Sequence, residues 1–145
     1  MNVIYGKIAV IGIGLIGSSI ALAARGAGVA GHIVGCDANP GVAPEVERLG
    51  LVDSFTDDTV AAVSDADLVI MAVPVGAVGA LAAEIIPAMK DGAVLTDTGS
   101  TKRSVIRDVA PHLQPHIHWL PSHPLAGTEH SGPAAGFADL FTGRY

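Results

Sequence analysis

The stretch SHPLAGTEHSG, residues 122–132, concentrates side chains that could do chemistry in a sequence that is otherwise mostly small and apolar. It holds two histidines, a glutamate, a threonine and two serines, which donate or accept hydrogen bonds and protons. Its glycines and proline predict a loop and not a helix or strand. A histidine in such a loop is a candidate general base, because an unperturbed imidazole titrates near neutral pH.

A second candidate site is the sequence GIGLIG, in which Gly12, Gly14 and Gly17 have the G-x-G-x-x-G spacing. It follows a short β-branched run and opens a helical pattern, which is the context of a dinucleotide-binding turn. The first glycine permits the turn, the second lets a pyrophosphate approach the backbone, and the third lets helix pack on strand. The phosphates would lie at the helix N-terminus, beside Leu15 and Ile16.

Asp37 follows the second predicted strand, 20 residues beyond Gly17. An acid at this distance hydrogen-bonds the adenosine ribose, and it would repel the 2′-phosphate of NADP. The next three residues, Ala38, Asn39 and Pro40, provide no arginine to compensate. The sequence therefore favours NAD over NADP. The alternative is that the glycines serve packing alone and that Asp37 is an ordinary loop acid.

Both candidate sites require strands and helices to position them. The hydrophobic pattern predicts strands at residues 7–12, 32–37, 67–74, 92–97 and 116–122, and helices at 15–28, 40–50, 59–66, 75–89 and 102–113. Strands that alternate with helices indicate βαβ units and a parallel sheet covered on both faces. We therefore predict an α/β fold with a doubly wound parallel sheet, in one domain spanning residues 1–145.

Ligands of a doubly wound sheet bind outside the carboxyl ends of its strands. Three sequence features are predicted at those ends: Val73-Pro74, the sequence DTGSTK at residues 97–102, and the loop 122–132. We expect Val73 and Pro74 to contact the cofactor. The polar loop is expected where a substrate meets the nicotinamide.

The composition argues against several other classes of protein. The net charge is −6 over 145 residues and no basic patch is visible, which argues against nucleic-acid binding. The single cysteine, Cys36, fits a reducing cytoplasm and is expected to be a buried strand residue. The uncharged run 8–24 is interrupted by three glycines and is shorter than the roughly 20 residues of a membrane helix, so no membrane segment is expected.

Three histidines, His112, His116 and His118, could suggest a metal site. Two of them alternate on one face of the last predicted strand. No cysteine or nearby acid completes a ligand set, so we expect these side chains to be structural or exposed and expect no metal.

The motifs IGIGLIGSS, DADLVIMAVP, DTGSTK and SHPLAGTEHSG…GFADLFTGRY together resemble the N-terminal domain of the prephenate/arogenate (cyclohexadienyl) dehydrogenase family. The resemblance covers residues 7–145, and the loop motif behind the D-x-GS strand end is its most specific part. It implies a Rossmann-type dinucleotide-binding domain. It also implies NAD-dependent oxidative decarboxylation of prephenate to 4-hydroxyphenylpyruvate, or of arogenate to tyrosine, in tyrosine biosynthesis.

The resemblance also implies residue roles. The family's catalytic histidine falls on His123, which would accept the proton of the ring hydroxyl as hydride leaves. The family's serine falls on Ser100, which would orient the same hydroxyl and the nicotinamide. From the residue pattern alone, Ser100 could be the N-cap of the helix that begins near Lys102, a role that is compatible with the catalytic one. Other members of the loop would shape the substrate pocket: Gly127, Thr128 and Glu129.

A further implication of the resemblance is a helical domain after this one. That domain forms the interface of the family's homodimer and contributes an arginine side chain that binds the substrate carboxylate. Arg144, in the GRY that ends the first-domain motif, is not that arginine. We therefore expect this chain to carry the nucleotide-binding and catalytic-histidine half of the enzyme, truncated before the helical domain.

Two other functions stay open at this point. One is a catalytically silent NAD-binding module. The other is a different Rossmann dehydrogenase acting on hydroxy acids, although nothing in such a site requires the loop motif at residues 122–132.

Overall fold

The computed structural model describes residues 2–128 and 130–144. Its strands are β1 (Tyr5–Ile11), β2 (Ala30–Cys36), β3 (Ser54–Thr56), β4 (Leu68–Met71), β5 (Val94–Asp97) and β6 (His118–Leu120). They form one sheet in the order β3-β2-β1-β4-β5-β6, and every pairing is parallel. This is the strand order of the dinucleotide-binding doubly wound fold, so the predicted fold class is confirmed.

Helices cover both faces of the sheet. They are α1 (Leu15–Ala27), α2 (Ala43–Arg48), α3 (Thr59–Val63), α4 (Val75–Ile85) and α5 (Lys102–Val109). Alternate residues of β1 face different cores, as the period of two in a strand requires. Ile8 and Val10 pack in a core with α1 and α2. Ala9 and Ile11 pack in a second core with α3, α4 and α5.

The ends of some elements differ from the predicted ones. The third predicted strand reaches residue 74, whereas the strand observed there, β4, ends at Met71. Pro74 has no N–H for the ladder and restricts the residue before it, so the chain leaves the sheet before reaching it. Ala72 still donates its N–H to the Ile11 carbonyl, at 2.7 Å. Residues 72–74 therefore form a turn at the carboxyl edge of the sheet.

The uncharged run 8–24 is divided between two elements. β1 ends at Ile11, and α1, with 13 residues, begins at Leu15. Across the part of the chain that the structure describes, no helix combines the length and the hydropathy needed to cross a membrane.

The segment that follows the polar loop packs on α1. Ser18 and Ser19 are fully buried there. The N–H of Phe137 donates to Ser19 Oγ at 3.0 Å. A Cβ on Gly136 would lie 2.0 Å from Ser18 Oγ, so only glycine permits this approach. The two serines of the IGIGLIGSS motif therefore anchor the C-terminal segment.

Candidate functional site

The turn between β1 and α1 requires glycine at two positions. Gly12 has φ +94°, in the region that favours glycine, and a Cβ there would lie 2.3 Å from the Ala72 carbonyl oxygen. Its N–H donates to the Cys36 carbonyl at 2.7 Å, which ties the turn to the end of β2. A Cβ on Gly17 would lie 1.8 Å from the Gly12 carbonyl oxygen. Packing alone therefore explains the first and third glycines of the motif.

Packing does not explain Gly14. A Cβ at this position would meet nothing within 4 Å, and its φ of −92° suits any residue. Gly14 is the N-cap of α1, and it makes no side-chain cap hydrogen bond. Uncapped N–H groups beside an open approach are what an anion requires at a helix N-terminus. The turn therefore fits the pyrophosphate of a dinucleotide.

The packing role of Gly17 gives a testable difference between two glycines of α1. We expect Gly17→Ala to lower the free energy of unfolding by about 1–3 kcal/mol, because the helix must move away from the turn. Gly26→Ala, where a Cβ would meet nothing within 4 Å, should be neutral or stabilising by up to about 1 kcal/mol. Denaturant unfolding of both variants measures the difference. Equal effects would contradict the close helix-to-turn contact.

Asp37 is held in place at the end of β2. Its Oδ2 accepts the N–H of Ile13 at 2.9 Å, and its Oδ1 accepts the N–H of Asn39 at 2.9 Å. A carboxylate offers about four lone-pair sites, so both oxygens can accept further hydrogen bonds. The side chain is thus fixed beside the glycine turn with capacity for a ligand's hydroxyl groups.

A cavity of about 490 Å³, the glycine cavity, lies between the glycine turn, the end of β2 and α4. Its walls include apolar residues of α4 and of the turn after β4. Of the predicted cofactor residues, the structure brings five together there: Gly12, Gly14, Asp37, Val73 and Pro74. Four others do not line it: Leu15, Ile16, Gly17 and Ser100. The volume and the mixed lining suit one end of a dinucleotide.

Cys36 is the last residue of β2, next to Asp37, and is fully buried as predicted. Burial, and after it the neighbouring charge of Asp37, raises the pKa of the Cys36 thiol to about 12. The thiol therefore stays protonated at neutral pH, and its contribution is to packing.

The carboxylate of Asp97, at the end of β5, joins the two segments that carry Ser100 and His123. It is fully buried. Its Oδ2 accepts the N–H of Gly99 at 2.9 Å and pairs with the Lys102 ammonium. Its Oδ1 accepts the N–H of Ser122 at 3.1 Å. Gly99 precedes Ser100 and Ser122 precedes His123, so one side chain fixes the backbone beside both predicted catalytic residues.

Ser122 adds further bonds at the same place. Its hydroxyl donates to the Asp97 carbonyl at 2.6 Å and lies 2.8 Å from Thr96 Oγ1. Thr96 Oγ1 in turn donates to the Leu120 carbonyl at 2.6 Å. The start of the polar loop is therefore attached to the ends of β5 and β6. Sequence reasoning gave no role to Asp97 or Ser122, although both stand inside motifs that it quoted.

His123 lines a second cavity, of about 380 Å³, which we call the histidine cavity. Asp97, Phe141 and Arg144 are among its other lining residues. Ser100 is exposed and lines neither cavity. The capping role for Ser100 was wrong, because Thr101 occupies the N-cap of α5, without a side-chain cap bond.

The exposed residues among those described in the rest of the polar loop are Leu125, Gly127, Thr128, His130 and Ser131. Gly127 and Thr128 line neither the glycine cavity nor the histidine cavity. Thr128 Oγ1 accepts the N–H of His130 at 3.1 Å. Glu129, predicted to belong to the substrate pocket, lies outside the described residues.

The histidines outside the loop do not share a strand face as predicted. His118 is the first residue of β6, whereas His116 precedes that strand. Within residues 2–128 and 130–144, no three His, Cys, Asp or Glu side chains are grouped so that they could hold a metal ion.

Comparison with known proteins gives one matching family model, described as "Prephenate dehydrogenase, nucleotide-binding domain", over residues 20–145. The glycine turn precedes the matched range. The cyclohexadienyl dehydrogenase of Zymomonas mobilis is 46% identical over 138 residues, which are 95% of this chain and 47% of that enzyme. The chain thus spans less than half the length of this curated relative.

Solved structures give the same similarity. The structure of prephenate dehydrogenase from A. aeolicus with hydroxyphenyl propionate and NAD+ has a TM-score of 0.86 and 28% identity, and the match covers 96% of this chain and 48% of that one. Synechocystis arogenate dehydrogenase has a TM-score of 0.85 and 25% identity, covering 95% and 48%.

Proposed function

Because the chain belongs to the prephenate dehydrogenase family, matching its nucleotide-binding domain, we propose that it binds NAD and forms the catalytic-histidine half of a prephenate or arogenate dehydrogenase. The observation that carries this proposal is that the Asp97 carboxylate fixes the backbone beside Ser100 and His123, at the same edge of the sheet as the glycine turn. If the glycine turn served packing alone, nothing would require the loop that carries His123 to be attached to the same edge of the sheet.

The glycine turn and Asp37 support NAD as the cofactor. The N-terminus of α1 would hold the pyrophosphate beside Gly14, where the approach is open. The Asp37 carboxylate would accept hydrogen bonds from the adenosine ribose and repel the 2′-phosphate of NADP. When bound, the nicotinamide supplies the acceptor for a hydride.

The chain's own residues would handle the proton and the orientation. A ring nitrogen of His123 accepts the hydroxyl proton as the carbon bearing that hydroxyl loses hydride. Ser100 donates a hydrogen bond that orients the same hydroxyl. The ring carboxylate then leaves as CO₂, and its bonding electrons complete the aromatic ring. Gly127, Thr128 and Glu129 would border the substrate.

The remaining contacts would come from outside this domain. We propose that a second, helical half supplies the arginine for the substrate carboxylate and the interface of a homodimer. We also place the enzyme in the cytoplasm, where a reducing environment suits its single cysteine. Neither nucleic acid nor a membrane is a proposed partner.

The role of Asp37 predicts the cofactor preference. We expect the chain to bind NAD more tightly than NADP, and we expect Asp37→Ser to narrow that gap by about 10- to 100-fold. The substitution removes a charged hydrogen-bond acceptor and a charge repulsion, and a hydrogen bond to a charged group is worth about 1.5–3 kcal/mol. Calorimetric titration of both dinucleotides into both proteins measures the gap.

A matched control is Asp57→Ser, which changes an exposed acid that does not line the glycine cavity. It should leave the preference unchanged. Equal affinity of the wild-type chain for NAD and NADP would refute the assigned role of Asp37.

A further inference from the structure

One face of α4 forms a wall of the glycine cavity. Ala77, Ala80, Leu81 and Glu84 line the cavity, and their spacing of three and four residues places them on one side of the helix. Three of these side chains are apolar and the last is a carboxylate. α4 begins at the carboxyl edge of the sheet, and Glu84 lies roughly 13 Å further along its axis, at 1.5 Å per residue from Val75.

Glu84 is oriented by a second helix. The hydroxyl of Thr59, the first residue of α3, donates to Glu84 Oε1, and both residues line the cavity. This bond uses one of the four lone-pair sites of the carboxylate, so the group can accept further donors. The carboxylate therefore lies on the part of the cavity wall that α3 and α4 share.

The positions of the other groups restrict what Glu84 could meet. The open approach at Gly14 suits phosphate, and Asp37 suits the ribose. The apolar wall formed by Val73, Pro74 and Leu81 suits the faces of a flat base. With the faces of the base against that wall, the Glu84 carboxylate would face the edge of the base. Of the groups on an adenine ring, the 6-amino group is the one that donates.

We propose that Glu84, oriented by Thr59, accepts a hydrogen bond from the adenine 6-amino group and selects adenine at this end of the cavity. This inference rests on the proposed binding of NAD, and it adds the residue that reads the base. Asp37 then discriminates at the ribose and Glu84 at the base, so that each end of the adenosine is recognised by one carboxylate.

The test compares NAD with its purine analogue, in which hydrogen replaces the 6-amino group. Titration calorimetry with the 145-residue chain should show NAD binding about tenfold more tightly than the analogue. In Glu84→Ala the two ligands should bind within about twofold of each other. Glu84→Gln, which keeps a weaker acceptor, should give an intermediate ratio. Glu47→Ala, an exposed glutamate of α2 outside this cavity, should keep the wild-type ratio.

The outcomes separate the two proposals. If neither ligand binds the folded wild-type chain, the proposed NAD binding fails and Glu84 fails with it. If both bind the wild type equally, NAD binding stands and the role of Glu84 is overturned. Retention of the tenfold preference in Glu84→Ala, with an unchanged melting temperature, would also overturn it, because another group would then read the base.

Discussion

His123→Asn is expected to lower the turnover number by about 10²–10⁴-fold while leaving NAD affinity nearly unchanged, because asparagine keeps a hydrogen bond but cannot accept the proton. The measurement uses a protein in which this chain replaces the matching half of the Zymomonas mobilis cyclohexadienyl dehydrogenase, its 46% identical relative.

Two substitutions in the same region provide the controls. Ser100→Ala should reduce turnover less than His123→Asn, since it removes orientation and leaves the proton acceptor in place. His130→Asn, in the same loop but without a proposed role, should have a much smaller effect. Loss of turnover in His130→Asn together with its survival in His123→Asn would show that the general base had been assigned to the wrong histidine.

Asp97→Asn is expected to lower the free energy of unfolding by about 1–3 kcal/mol, because the partly exposed Lys102 ammonium loses its charged partner and the fully buried side chain loses an acceptor oxygen. The amide that replaces the carboxylate also has an NH₂ group, which cannot accept a hydrogen bond from the three donors around it, those of Gly99, Lys102 and Ser122. Because those bonds fix the backbone beside Ser100 and His123, turnover of the joined protein should fall even at temperatures where it remains folded.

The control for Asp97→Asn is Asp91→Asn, at the other end of β5. Asp91 is exposed in the turn before that strand, so its substitution should change stability by no more than about 0.5 kcal/mol. Denaturant midpoints compare the two variants. If the two variants had the same small shift in midpoint, the Asp97 carboxylate would not be what fixes the polar loop to the sheet.

Much of the fold was predictable because its signals are local. β1, β2, β4 and β5 contain β-branched residues in apolar runs, the predicted helices have a period near 3.6, and alternation of the two indicates a parallel, doubly wound sheet. β3, with the sequence SFT, has no such run and was not predicted. The glycine spacing and the acid 20 residues later are likewise readable in one dimension, and the structure places Gly12, Gly14 and Asp37 around one cavity. The end of β4 was misplaced because apolar residues continue beyond the point where Pro74 ends strand pairing.

The missed residues depend on contacts between distant parts of the chain. Asp97 acts on Ser122, 25 residues away, and Ser19 binds the N–H of Phe137, 118 residues away. Glu84 is exposed, and its hydrogen bond with Thr59, 25 residues away, forms only when α3 and α4 are brought together. The sequence did contain one signal for Asp97: an acid at the end of an apolar strand is expected to be buried and therefore to require hydrogen-bond partners.

The most direct test of the proposed reaction is the release of CO₂ for each NADH that the joined protein forms from carboxyl-labelled prephenate or arogenate. If this chain supplies the NAD site and His123 the base, labelled CO₂ and NADH should appear in a ratio of about one, and both should be lost together in His123→Asn. A folded, NAD-binding protein that produced NADH without CO₂, or neither product from either substrate, would contradict the proposed function.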